Sequence, residues 1–321
     1  MSMSPFRRQP GAVLLALVLS ACSQHEQPTA TGSARATGVT PATPVSTAVP
    51  ALDLQLISER LGTTPRALPG GALSVTLPRG GVSIKVEGTP LAGALNTELL
   101  FQPAADGAAV SGSVELLEDE VSPVLDTLIA HGIRVVGLYN RFLYDEPRVL
   151  VLRFEGQGNP ALLASGVQSI SSVLRDARLR SKQPLRELPG EAPEPGTLDA
   201  GALGSVLGVT ASLSDGVLSL EVPRPADAAA ATGTPSGPLL RASLSGSDLR
   251  AALSGTFVLA AREVLATLAA LRTANVHLVG LVPQDTPGNT RWFALHFRGK
   301  NNSLALARGL ALALQARAGA R

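Results

Sequence analysis

Five residues in two neighbouring stretches carry most of the recognition chemistry in this sequence. Tyr139, Asn140, Arg141 and Tyr144 lie in YNRFLYDEPR, and Arg153 lies in VLVLRFEGQG. If the stretches form adjacent strands, aromatic, amide and guanidinium groups share one patch. A guanidinium grips a carboxylate or phosphate through a planar fork of donors. The patch therefore suits an anionic ligand, and it is equally the composition of a solvated sheet edge. No nucleophile elbow, Walker loop, dinucleotide fingerprint, HExxH pair or pair of catalytic carboxylates accompanies it, so no cofactor is expected.

The histidines add little. His131 closes a helical stretch, where a cation suits the dipole. His277 begins a strand and reads as a surface or edge residue. His296 alternates with Leu295 and Phe297 and so is expected opposite the core. A metal needs several convergent ligands, and none is evident around any of them. Glu118, Asp119 and Glu120 read as charges favouring the start of a helix.

Cys22 is the only cysteine. Arg7 and Arg8 precede an apolar run from Gly11 to Leu19, which ends in Leu19-Ser20-Ala21-Cys22. The run is too short for a bilayer of roughly 30 Å, which takes about 20 residues. It reads as an export signal over residues 1–21 that ends in a bacterial lipobox. Diacylglycerol on the Cys22 thiol, with an N-acyl chain, supplies the two or more fatty chains that stable anchoring requires. Ser23 resembles an outer-membrane sorting signal. The expected location is the cell envelope, lipid-anchored, at the outer membrane and facing the periplasm.

Without Arg7 and Arg8, the 27 basic residues become 25 against 25 acidic ones, so the mature chain is near neutral. With no basic tract interleaved with aromatics, nucleic acid is not an expected partner. An anionic envelope ligand or a protein partner is. A lone cysteine excludes a disulfide framework, so stability must come from cores.

Residues 22–50 are rich in Thr, Ala, Pro and Ser and read as a tether. The stretch SKQPLRELPGEAPEPG marks a linker over 181–195, and Pro225 to Gly237 reads as an insertion. One copy of a repeat lies on each side of them. SGSVELLEDEVSPVLDTLIAHGIRVVGLYN aligns without a gap on SGTFVLAAREVLATLAALRTANVHLVGLVP at an offset of 143, pairing Gly137 with Gly280 and Phe154 with Phe297. Two modules follow, 51–180 and a diverged 196–321.

In the first module, alternation predicts strands at Ala72–Leu77, Val82–Glu87, Val110–Leu116, Arg134–Tyr139 and Arg148–Phe154. Helices are expected over Glu118–His131, stopped by Gly132, and from Pro160, capped by Asn159, to about Leu174. The fold class is α+β: two tandem modules, each a mostly antiparallel sheet with helices on one face, in a split βαβ-like order. The last helix, LALARGLALALQA, is read as covering the second sheet.

The run LLEDEVSPVLDTLIAHGIRVVGLYNRFLYDEPRVLVLRFEGQGNP resembles the LppY/LpqO family of bacterial lipoproteins, whose domain is of unknown function. The resemblance covers about Leu52 to Leu174 and, more weakly, the second copy. In that family the matching stretches take the form L-H-N-H and M-H-I-G-G, which implies a histidine cluster suited to metal or acid/base work. Here Tyr139, Arg141 and Arg153 stand at the three histidine positions, and only Asn140 is kept. In the second copy Val282, Pro283 and Gln284 replace the first run, and His296 falls at the third position. The expectation is a non-catalytic binding or structural component without metal. The alternative is a metal-assisted hydrolase, or a pseudoenzyme, derived from the family's cluster.

Overall fold

The computed structural model describes residues 51–91, 95–225 and 233–320. The export signal and the whole tether with Cys22, together with residues 226–232 of the Pro225–Gly237 stretch, lie outside them. Helix α1 (Leu54–Leu61) opens the first module. Its N-cap Asp53 accepts a hydrogen bond from the Leu56 backbone N–H at 3.0 Å. Strands β1 (Arg66–Ala67), β2 (Leu73–Arg79), β3 (Lys85–Val86), β4 (Thr89–Pro90), β5 (Leu95–Ala104) and β6 (Gly107–Leu117) follow. A 3-10 turn, Glu118–Glu120, leads into α2 (Val121–Ala130). Then come β7 (Arg134–Asn140), β8 (Asp145–Glu146), β9 (Val149–Gly158) and α3 (Pro160–Arg180).

The second module repeats this plan with α4 (Ala200–Leu207), β10 (Ala211–Ser214), β11 (Val217–Val222), β12 (Leu240–Gly246), β13 (Ala251–Ala260), α5 (Ala261–Thr273), β14 (Val276–Gln284), β15 (Trp292–Asn301) and α6 (Ser303–Gly319). Equivalent residues perform equivalent local work. Asp199 caps α4 as Asp53 caps α1. Asn159 and Asn302, 143 apart, cap α3 and α6.

Three differences from the expected elements matter. Val82–Glu87 alternates like a strand, yet only Lys85–Val86 pairs, within a separate sheet of β4, β3 and β8. A ten-residue strand, β5, was not foreseen and holds a central place. Helix α3 runs past Leu174 to Arg180, which brings Arg178 to Asp119 and Glu120 on the 3-10 turn before α2.

Within a module, β6 and β7 both run antiparallel to β9, which lies between them, so they are parallel to each other and α2 makes the crossover. That is the split βαβ arrangement. Side chains of α2 and α3, including Val124, Leu125, Leu128, Val167 and Ile170, join Leu116, Leu152 and Phe154 in one core. Residues that alternate with these point to the opposite face. There Leu117 and Val149, with Ile84 and Leu95, form a small satellite core. The segments carrying β3, β4 and β8 cover it.

The two modules build one twelve-stranded sheet, ordered β1-β2-β5-β6-β9-β7-β14-β15-β13-β12-β11-β10. The order mirrors itself about the antiparallel β7–β14 joint. At that joint Leu138 pairs with Leu281, its own counterpart 143 residues on. A residue facing its equivalent is the signature of a two-fold axis. The bulge between Val135 and Gly137 recurs between Leu278 and Gly280. Gly137 and Gly280, and likewise Phe154 and Phe297, thus occupy matching places in matching strands.

Helix α6 lays Leu306, Leu310 and Ala313 on the second half of the core and leaves Arg308 exposed. No described helix is long and apolar enough to cross a membrane.

Candidate functional site

Each module hides one carboxylate at the start of its crossover helix. Glu120 is fully buried. Its Oε1 lies 2.6 Å from Arg79 Nη1 and 3.0 Å from Arg178 Nε, and its Oε2 accepts from the Leu117 backbone N–H at 2.8 Å. Glu263, 2% exposed, repeats this: Oε2 accepts from Ala260 N–H at 2.8 Å and Oε1 lies 3.1 Å from Arg317 Nη2. Arg224 stacks 5.0 Å over the Trp292 ring nearby. Burial, and then the charge of Arg317, hold the Arg224 pKa below the ordinary guanidinium value, while Glu263 opposes the shift. The acidic run at 118–120 is therefore more than a helix-start charge: Glu120 anchors an Arg–Glu–Arg group. In both groups the carboxylate is the buried member and holds arginines from other elements of its own module.

The five residues of the sequence patch separate into two groups. Gly137 pairs with Arg153 across β7 and β9, and Tyr139 pairs with Val151, so Arg153 and Tyr139 flank Gly137 on the face away from the helices. Both are exposed, and among the described residues no carboxylate pairs with Arg153. Arg141 is committed elsewhere, in an ion pair with Glu115 and stacked 4.9 Å over Phe142. Asn140 is exposed at the end of β7. Tyr144 lies on the β7–β8 loop, where its carbonyl accepts from Glu87 N–H at 3.1 Å, and it lines a groove with Lys182 and Arg186. Glu115 was missed by sequence reasoning. The signal was present: it sits between inward-facing Val114 and Leu116.

Where the family resemblance implies histidines, the side chains present are Tyr139, Arg141 and Arg153. Guanidiniums donate only and carry fixed positive charge, so this set does not fit a cation. Among the described residues no three His, Cys, Asp or Glu side chains gather as a metal centre would need. His296, half-buried, faces Thr256, with Nδ1 2.8 Å from its Oγ1. His131 ends α2 with Nδ1 2.9 Å from the Thr127 carbonyl, consistent with capping.

His277 departs from the expectation of a surface or edge residue: it is 2% exposed. Its Nδ1 lies 2.7 Å from Ser122 Oγ on α2 and 3.0 Å from Arg272 Nη1 at the end of α5. Arg272 in turn holds Asp126 of α2 through two bonds, Nε–Oδ1 at 2.8 Å and Nη2–Oδ2 at 3.1 Å. The module joint is thus locked by one polar cluster. An arginine donates and never accepts, so Nδ1 must be the acceptor and Nε2 carries the proton. Burial first, and then the Arg272 charge, lower the His277 pKa to about 4, with Asp126 opposing. Beside this cluster lies a cavity of about 840 Å³, bounded by α2, the end of α3, the 181–189 segment and the start of β14.

The depressed pKa fixes a sign. Native His277 stays neutral while the unfolded ring, near 6.5, takes a proton, so stability is complete above about pH 6.5 and is lost as pH falls toward 4. The charges facing the ring are Asp126, Arg272 and, across the β14–β15 register, Arg298. His277→Gln keeps an acceptor for Arg272 but cannot titrate. Between pH 7 and 4.5 the natural chain is expected to lose on the order of 2 kcal/mol more than the variant, a figure reduced from the full shift because water can enter the cavity. Denaturant melts at both pH values measure this; equal losses would remove His277 from the account.

No curated protein matches the chain. Among solved structures, it is similar to the trimeric bacterial microcompartment shell protein PduB, with 10% identity over 78% of this chain and 89% of that one, at a TM-score of 0.19. It is similar also to EtuB from Clostridium kluyveri, with 11% identity over 79% and 90%, at a TM-score of 0.19. At those scores the likeness carries no argument. A family model described as Domain of Unknown Function (DUF1259) matches residues 55–173 and again 201–316, the two halves that the sheet joins about its two-fold axis. The chain belongs to that family, and carries its domain twice.

Proposed function

We propose that this protein is a lipid-anchored component of the cell envelope, held through Cys22 at the outer membrane and facing the periplasm, and that it binds without catalysing. The observation that carries the reading is the side-chain exchange on the open face of the first module. Where the resemblance to the LppY/LpqO lipoproteins implies histidines, Arg141 and Arg153 stand, and Arg141 is consumed by Glu115. Arg153 and Tyr139 remain exposed there and suit an anionic group of an envelope molecule. Asn140 borders them, while Arg141 and Tyr144 support the adjoining loop.

One experiment tests both parts. Cells expressing the natural chain and Cys22→Ser are fractionated, and the Cys22→Ser protein is purified for elemental analysis. The natural chain is expected in the membrane fraction and the variant outside it, or unprocessed. Zinc, iron and manganese are expected well below one per chain. Membrane retention of the processed variant would overturn the anchor. A stoichiometric metal would overturn the non-catalytic reading and favour a metal-assisted hydrolase.

A further inference from the structure

We propose that the cavity at the module joint is a binding site for a small amphipathic carboxylate, its apolar body inside and its acid group at Arg180. The inference is independent of the open-face patch and of lipid attachment. A volume of about 840 Å³ lies within the range of roughly 300–1,000 Å³ typical of small-molecule sites. Leu138, Leu150, Leu185, Leu188 and Leu278 provide the apolar wall.

Charge chooses the head group. Four carboxylates border the cavity, and each has its own cation: Asp119 has Arg178, Asp126 has Arg272, Glu187 has Lys300, and Glu118 has Arg148 at 3.9 Å. Of the bordering arginines, Arg272 is held by Asp126 and Arg186 by Glu146. Arg180 has no carboxylate partner among the described residues, and it is exposed at the end of α3. The border therefore has one uncompensated positive charge.

A second, independent observation is the His277 ring. It belongs to the wall, it is neutral with the proton on Nε2, and that buried N–H has no acceptor. Buried donors without partners are rare in native proteins, and one oxygen of the carboxylate would supply an acceptor while the other meets Arg180.

The site is also particular to one side of the joint. The two-fold axis would place Leu265, Ala269, Ile129 and Arg134 where Ser122, Asp126, Arg272 and His277 stand. The two copies differ at all four of these positions, so only one side of the joint carries this chemistry.

Calorimetry on the full chain carrying Cys22→Ser, which removes the lipid, tests the proposal with three ten-carbon probes: decanoate, decanol and decyltrimethylammonium. Decanoate is expected to bind at one site per chain, decanol several-fold more weakly, and the ammonium not at all. Arg180→Gln should weaken decanoate about tenfold, the loss of one charged hydrogen bond, and leave decanol unchanged. Leu188→Asp should abolish binding of both. In ¹⁵N spectra, decanoate should move the His277 Nε2 resonance. No saturable decanoate binding, equal binding of the ammonium probe, indifference to Arg180→Gln, or an unmoved Nε2 resonance would each overturn the proposal.

Discussion

Replacing Glu263 with alanine is expected to lower unfolding free energy by about 3–5 kcal/mol, the usual consequence of removing one partner from a buried ion pair. The carboxylate is 2% exposed, and Arg317 and Arg224 beside it are 5% and 8% exposed. Deleting it strands the Arg317 guanidinium in low dielectric, removes the charge that favours nearby Arg224, and leaves the Ala260 N–H without its acceptor. Glu263→Gln keeps an oxygen for Ala260 but not the charge, so an intermediate loss is expected. Glu120→Ala should cost less than Glu263→Ala, because the side chains of Arg79 and Arg178 are each 17% exposed and can turn toward water. Urea titrations of the three variants give the order. A Glu263→Ala chain within about 1 kcal/mol of the natural one would show that the buried charges are compensated in some other way.

A methyl group added at Gly255 should be nearly as damaging. Its Cβ would stand 2.5 Å from Phe297 Cζ, 2.7 Å from the Arg241 carbonyl oxygen and 2.9 Å from Ala242 Cβ. Gly112 repeats the arrangement one module earlier, at 2.6 Å from Phe154 Cζ and 2.8 Å from the Glu98 carbonyl oxygen. In both copies the glycine pairs directly with the phenylalanine. The ring can lie across the strand because no side chain is there. A ring can shift, but a carbonyl inside a sheet ladder cannot, so overpacking on the order of 3 kcal/mol is expected for Gly255→Ala and for Gly112→Ala. Adding Phe297→Leu to Gly255→Ala removes the ring clash and not the backbone one. The double variant should therefore show a favourable coupling of at least about 1 kcal/mol, less than full rescue. A tolerated Gly255→Ala beside a damaging Gly112→Ala would mean that the two modules have diverged in their packing as well as their surfaces.

Much of the plan was legible in the chain. The ungapped offset of 143 announced two modules, because a duplicated core keeps its apolar positions and its glycines in register. The β6–α2–β7–β9–α3 order followed from apolar periodicity, and Asn159-Pro160 marked the start of α3 through the bonds an N-cap must make. The sequence also displayed Tyr139, Arg141 and Arg153 where the family resemblance implies histidines, which is the ground of the proposed binding role. Other features were hidden from local patterns. Strand β5 escaped because LNTELLFQPA sets apolar residues side by side, blurring the alternation. Val82–Glu87 has the alternation but covers a satellite core instead of joining the main sheet.

The tertiary structure alone decided what happens where the modules meet. His277 lies between Val276 and Leu278 at a strand start, and that local pattern does not bury it. Ser122, 155 residues earlier, and Arg272 on the neighbouring helix do so. Likewise, β7 and β14 each present an edge of unpaired backbone groups. A free strand edge requires a partner, and hydrogen bonding together with the shared core favours the nearest complementary edge, that of the other copy. Sequence determined that there are two such modules. Only the long-range pairing of Leu138 with Leu281 turned them into one sheet, with a cavity on one side of its axis, because contacts between residues so far apart leave no periodic trace in the chain.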